Sequence, residues 1–479
     1  MRHLIAILAA GWFVGSSWAA DDTLAWPRFR GPNGSGVADD QTPPVKIDPS
    51  TNVKWKVPVP SGLSSPIVAG ENLVLTAFEN GKLFTIAYRR ADGKEAWRSE
   101  AKTQKVEPYL KGEGSPASST PATDGTRIVS YFGSCGLVCY DLAGKELWKF
   151  EMPTAVTWAD FGSGVSPILV DGLVILARDE LKGSRIVALD VANGSIRWER
   201  SRQSIIAYST PVVWETPAGK QIVVAGQGRM IGYDVKTGQE NWFVTGMPTG
   251  PCASPMAEGE MLFYAGFSPG GADDKTNQMP SFDVLLKQAD ADKDGALSKD
   301  EAQKTFLKDM FDALDFNKDG KITRDEWERM LKLIAEGRSS VFVLSPGATG
   351  DATSHVVWKK TKGMPYVPSA IVYRGQFVMV KDGGMVSAYD AKTGKEVYVQ
   401  ERAAASGRYY ASPVAANGNI YFTSLEDGVV TVLKAGTAKP EVVVKNPKFG
   451  ERIAATPAIA DNCLYLRTAS SLYAFAEKK

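Results

Sequence analysis

Histidine is almost missing from this 479-residue chain. There are two, His3 near the start and His355 at the head of an expected outer strand. A Ser-His-Asp triad or a histidine-rich metal centre therefore has little to build on. Cysteine is scarce as well: Cys135, Cys139, Cys252 and Cys463, with no adjacent pair and no C-x-x-C-H haem site. A disulfide between Cys135 and Cys139 is the lesser expectation, because a two-residue turn at Cys135-Gly136 does not set them opposite each other. Small buried side chains are the main one. Neither charge sign dominates, with 55 basic and 54 acidic residues, so no field favours nucleic acid or an acidic membrane surface. There is no Walker loop. Beyond residue 20 no apolar run is long enough to span a bilayer.

The first twenty residues read as an address. Arg2 and His3 precede the apolar run Leu4–Val14, and Ser17-Trp18-Ala19-Ala20 ends in small residues. This is the pattern of a secretory signal with cleavage near Ala19 or Ala20. No cysteine follows it to carry a lipid. The expectation is an exported protein without a transmembrane span, most simply in a bacterial periplasm.

What the chain has in abundance is one repeated phrase. Ala188–Trp198 (ALDVANGSIRW) shows it best, and it returns at Tyr140–Trp148, Tyr233–Trp242, Tyr389–Tyr398 and, more loosely, Ile86–Trp97. Upstream lies a Ser/Thr-Pro step, at Ser65, Thr120, Ser166, Thr210, Ser254, Ser412 and Thr456. The closing tryptophans Trp97, Trp148, Trp198 and Trp242 are spaced 51, 50 and 44 residues apart, the period of propeller blades. Within the phrase a strand meets an Asn-Gly or Thr-Gly turn that needs positive φ and then returns. The final Trp is large enough to wedge between blades.

The expected fold is all-β, an eight-bladed propeller of four-stranded antiparallel blades. The blades start near Ser64, Ser118, Gly164, Ser209, Ala253, Pro368, Ala411 and Ala454. The eighth lacks an outer strand, and Asn52–Val57 stands unpartnered before the first, so that segment is expected to close the ring and remove its open edges. A monomer is the expected state. The domains read as a signal at 1–20, an N-terminal cap segment at 21–51, propeller at 52–267, an insertion at 268–338 and propeller again at 339–479.

The insertion breaks the rhythm: Trp242 to Trp358 is 116 residues. Helical periodicity appears at Phe282–Ala289, Ala302–Leu314 and Trp327–Glu336, and two loops between these helices match the EF-hand pattern. The first offers Asp290, Asp292, Asp294, the Ala296 carbonyl, Ser298 and Glu301. The second offers Asp315, Asn317, Asp319, the Lys321 carbonyl, Thr323 and Glu326. A hard cation such as calcium wants several oxygens at about 2.3–2.6 Å. Only Ala302–Leu314 separates the loops. Read as one helix of roughly 20 Å, it sets them at opposite ends, and Leu297 and Ile322 then fail to pair. A bracing role for calcium is favoured over a sensing one.

In a meander blade the insertion joins strand two (Met261–Gly266) to strand three (Ser340–Leu344). It thus shares a face with the links between blades, opposite the Thr-Gly turns. Those links carry Trp158, Tyr208, Tyr366, Arg408, Tyr409 and Arg452, the candidate partner surface. Gly270-Gly271 reads as a hinge.

Taken together, the repeats and the opening Trp26–Gly36 (WPRFRGPNGSG) resemble the exported bacterial proteins described as PQQ-like or BamB-like. The similarity runs from Trp26 to Phe475 outside the insertion. The resemblance implies a non-catalytic scaffold in the cell envelope that binds protein or polymer partners. Its alternative implication is a quinoprotein dehydrogenase that uses pyrroloquinoline quinone (PQQ) and calcium to oxidise alcohols or sugars. Such enzymes typically carry adjacent cysteines beside the quinone, and this chain has none.

Overall fold

The computed structural model describes residues 24–269, 279–309, 311–315, 317 and 319–477. The expected leader and the expected hinge at Gly270-Gly271 lie outside the described residues. Eight antiparallel sheets follow one another in chain order. The first blade is Ile67–Ala69, Asn72–Glu79, Lys82–Arg89 and Glu95–Ala101, and the others repeat it. The ring closes as the sequence required. Val53–Pro58 pairs antiparallel with Ser471–Phe475 as the outer strand of the last blade, Val57 opposite Leu472.

The repeated phrase is a docking device. In the third blade the Asp190 Oδ1 accepts the Ala192 N–H at 2.8 Å, and Gly194 takes a φ of 72°. A Cβ on Gly194 would stand 2.7 Å from Cε3 of Trp148, which reaches over from the second blade. The Trp148 indole N–H then donates to the Val191 carbonyl at 2.9 Å. Trp55, Trp97, Trp198 and Trp358 repeat this with Arg90, Leu142, Val235 and Ala391. The phrase thus couples five hairpin turns to the blade before them through an aromatic face and one hydrogen bond.

Trp242 departs from the pattern, because the next blade has no Asp–Gly turn to receive it. Its N–H goes to Gln221 Oε1 at 2.5 Å within its own blade, and its ring meets Trp214 edge to face at 5.6 Å. Here blade four also departs from four strands: Gly350–Asp351 adds a fifth, parallel to Glu240–Thr245.

The Ser/Thr-Pro steps stand at the starts of the innermost strands and bond in a circle. The Ser65 N–H donates to Thr120 Oγ1, Thr120 to Ser166, Ser166 to Thr210 and Thr210 to Ser254. Ser254 donates to Ser369, Ser369 to Ser412, Ser412 to Thr456, and Thr456 back to Ser65. All eight distances fall between 2.9 and 3.1 Å. In the sixth blade Ser369 does this without a following proline.

Residues 26–38 do more than cap one end; they run into the channel and tie inner strands together. The Val68 and Thr123 amides donate to the Trp26 and Pro27 carbonyls, each at 2.8 Å. The Asn33 side chain exchanges two hydrogen bonds with the Val213 backbone, and the Ala415 amide donates to Gly36. Trp26 and Arg30 have no solvent exposure. Cys135, Cys139, Cys252 and Cys463 are all free thiols.

Replacing Thr210 with Val leaves the buried Ser166 amide unpaired, which costs about 1–3 kcal/mol. Denaturant unfolding should show that loss for Thr210→Val and only a small change for Thr210→Ser. Equal losses for the two variants would show that the hydroxyl circle does not matter.

Candidate functional site

The insertion joins Met261–Gly266 to Ser340–Leu344, strands two and three of the fifth blade. It has its own core of Phe282, Leu285, Leu297, Leu307, Phe311, Leu314, Ile322, Trp327 and Met330. Its helices are α1 (Phe282–Ala289), α2 (Lys299–Ala302), α3 (Phe311–Leu314) and α4 (Arg324–Glu336). The expected single helix Ala302–Leu314 is broken. The Thr305 hydroxyl donates to the Ala302 carbonyl at 2.9 Å and accepts the Leu307 amide at 3.0 Å, which diverts the backbone into a 3-10 turn at Phe306–Asp309. The break folds the chain back, so Leu297 pairs with Ile322 as a short antiparallel ladder. The two loops therefore stand back to back, contrary to the sequence expectation.

In the first loop the carboxylate oxygens of Asp290, Asp292 and Asp294 lie within 4.8 Å of one another. Asp290 Oδ1 is buried without a hydrogen-bond partner, an acceptor that a hard cation would satisfy. Glu301 Oε2 accepts the Ser298 hydroxyl at 2.7 Å and Oε1 the Ala291 amide at 2.7 Å. The Ser298 hydroxyl and amide are the main reasons its carboxyl is held down to about 2. The Ala296 amide turns back onto Asp294 Oδ1. In the second loop Asp315 accepts the Asp319 and Gly320 amides, Asn317 Nδ2 donates to Asp319, and Thr323 donates to Glu326 Oε2. Lys321 reaches across and ion-pairs with Asp294. The oxygen-only donor set of the first loop, with its orphaned Asp290 oxygen, suits a calcium ion.

Helix α4 lies over the mouth of the propeller. Its Met330 and Ile334 line an axial cavity of about 510 Å³. The walls are mostly apolar, with Phe161, Ile205, Ile206, Tyr208 and Tyr366, and Phe29 contributes from the plug. Trp158, in a 3-10 turn between blades two and three, lines the cavity and packs on the insertion core as well. At the rim, Glu113 receives Arg408 Nη1 at 3.1 Å, with Arg452 Nη2 at 3.6 Å and the Tyr410 hydroxyl also upon it. Burial pushes the Glu113 carboxyl up, but its bonds from Tyr410 and Arg408 and the nearby Arg452 charge outweigh that and hold it below the ordinary value.

Of the sequence-chosen surface residues, Trp158, Tyr208, Tyr366 and Arg408 line this cavity, and Arg452 stands beside its rim. Tyr409 does not belong with them. It is 1% exposed, and its hydroxyl donates to the Ala405 carbonyl. Alternation along the chain turns Tyr409 into the core and leaves Tyr410 at the rim. Sequence reasoning missed Glu113, Phe29, Met330 and Ile334, since nothing local marks them as meeting on one axis.

Behind the cavity wall, Glu107 is buried. Its Oε2 accepts the Ser163 hydroxyl at 2.7 Å, and its Oε1 has no hydrogen-bond partner. Burial raises its pKa to about 7.

The architecture defines an eight-bladed propeller with an EF-hand insertion. The family described as outer membrane protein assembly factor BamB matches residues 84–251 and 335–478, more than half of the chain. The chain belongs to that family. The EF-hand family matches residues 282–306 and 307–331. No curated protein matches the chain in sequence. Among solved structures, BamB from Moraxella catarrhalis is similar at 13% identity and a TM-score of 0.53, over 88% of this chain and 98% of that one. Quinohemoprotein alcohol dehydrogenase from Comamonas testosteroni is similar at 12% identity and 0.53, over 96% and 82%. The computationally designed protein Ika8 matches at 11% and 0.56, over 89% and 100%. At such identities these likenesses describe the fold.

Two tests follow from this geometry. The Glu301→Gln, Glu326→Gln double variant should lose calcium binding in calorimetry while keeping the propeller's thermal transition. Loss of the whole fold would show that the insertion is not a separate module. For Glu107, a folded pKa above the unfolded value of about 4.3 means tighter proton binding in the folded state. Its contribution to stability is full below that value and is lost as pH rises through about 7. Glu107→Gln should flatten the fall in melting temperature between about pH 4 and pH 7; an unchanged slope would remove Glu107 as its source.

Proposed function

We propose that this protein is an exported, calcium-binding propeller of the bacterial periplasm. In this reading it is a non-catalytic scaffold that binds a protein or polymer partner of the cell envelope through the face carrying the axial mouth. The observation that carries the reading is the convergence on one face of Trp158, Tyr208, Tyr366 and Arg408 with helix α4 of the insertion. Concave, aromatic-lined surfaces on a rigid ring are where recognition concentrates.

Calcium in both loops braces α4 against Trp158, so the metal shapes the rim instead of reacting there. The single histidine after the leader supports a non-catalytic role. Its Nδ1 lies 3.2 Å from the Pro346 carbonyl, and its own carbonyl accepts the Ser345 amide. The absence of adjacent cysteines from the sequence also sets the chain apart from the quinone-dependent alternative.

The test is site-specific photo-crosslinking in the periplasm. A benzophenone side chain at Tyr366 should capture an envelope partner, and one at Lys236, on the opposite turn face, should not. Calcium chelation should weaken the Tyr366 product. Equal capture from both faces would overturn the assignment of the surface.

A further inference from the structure

The circle of eight hydroxyls has a chemical consequence beyond holding blades together. A serine or threonine hydroxyl has one hydrogen to donate and two lone pairs. In the circle each oxygen accepts its neighbour's amide. Among the described residues, none of the eight hydroxyls donates to a protein acceptor. Ser65, Thr120, Ser166, Thr210, Ser369, Ser412 and Thr456 all line the axial cavity. Its base is thus a collar of O–H donors with Phe29 among them, while its upper walls are apolar.

Two buried cations flank this collar. Arg30 donates from Nη2 to the Ala370 carbonyl, one residue from Ser369. Arg467 donates from Nη1 to the Ser64 carbonyl at 3.1 Å, one residue from Ser65. Both are essentially unexposed. Neither meets a carboxylate among the described residues, and desolvation lowers Arg30 to about 9 and Arg467 to about 10. A buried cation without a counter-charge leaves a positive potential that a nearby anion stabilises. The rim cations Arg408 and Arg452 are already turned to Glu113, so the unspent positive charge lies at the base. The cavity's volume falls within the ~300–1,000 Å³ typical of small-molecule sites.

We propose that the axial cavity binds a small amphiphile with a carboxylate head. The head takes hydrogen bonds from the Ser and Thr collar, and the apolar body lies against Ile206, Tyr208, Met330 and Ile334. Ordered water satisfies the collar when the ligand is away. Helix α4 covers the tail end, so the insertion contributes part of the site. The site shares Tyr208 and helix α4 with the face proposed for a partner, but binding of a small amphiphile does not rest on that reading.

The experiment is calorimetric titration of the full mature protein with dodecanoate below its micelle concentration, beside dodecanol and acetate. Dodecanoate should bind one to one, at least about tenfold more tightly than dodecanol, the worth of charge-assisted hydrogen bonds from the collar. Acetate should show no measurable binding. Ser412→Ala should weaken dodecanoate about tenfold without changing dodecanol, and Ser412→Thr should restore it. Ile334→Glu, at the covered end, should weaken both long-chain probes and leaves the collar intact. Equal affinity for dodecanoate and dodecanol, or no dodecanoate binding to the wild-type protein, would overturn the proposal, and neither outcome bears on capture of a partner at Tyr366.

Discussion

A circle has no end, and the hydroxyl circle around the axis is the constraint on which the rest depends. Each bond is an ordinary one of about 1 kcal/mol net. Because Thr456 donates back to Ser65, every inner strand has its height fixed by both neighbours. That level sets where the Trp–Gly contacts meet farther out, and it sets the base of the cavity. Closure has a second requirement, the outer strand Val53–Pro58 on the last blade. The chain thus locks itself at the axis by side-chain hydroxyls and at the circumference by a strand ladder.

Most of this was legible because it repeats. The period gave the blade number, and the missing outer strand of the eighth blade pointed to residues 52–57. The Asp and Gly of ALDVANGSIRW carry a turn whose chemistry is local, so the sequence displays it directly. The role of the Ser/Thr-Pro step was not legible, since its partner lies a whole blade away. The seven Ser/Thr-Pro steps drew attention to proline, and Ser369, which fills the eighth place without one, was passed over. Tyr409 and Tyr410 were inseparable in sequence and are opposite in role, because a one-residue step moves a side chain from core to rim.

The insertion shows where local reading fails by a different route. Ala302–Leu314 has apolar residues at helical spacing, and on that evidence one helix was the sound expectation. Burying Leu307, Phe311 and Leu314 in one small core together with Leu297 and Ile322 needs the chain to double back, and Thr305 supplies the break. Tertiary packing overrode periodicity, and in doing so it restored the paired arrangement of the two loops. The two loops were legible as a pattern, because the EF-hand motif sets both residue type and spacing.

The position of α4 argues for what kind of device the insertion is. A module that only stiffened the fifth blade would need contact with that blade alone. Here α4 brings Met330 and Ile334 to the axis, and Trp158, from the link between blades two and three, joins the module's core. The insertion therefore spans the mouth and packs against a loop from beyond blades four and three. Calcium bound at Asp290–Glu301 and Asp315–Glu326 would act on the two turns that flank α2 and α3 and start α4. Helix α4 is wall to the cavity, so bracing those turns would brace that wall. The propeller supplies the closed base and the insertion supplies the covering side. This division of labour accounts for an EF-hand pair between two strands of a blade that needs only a tight turn to be complete.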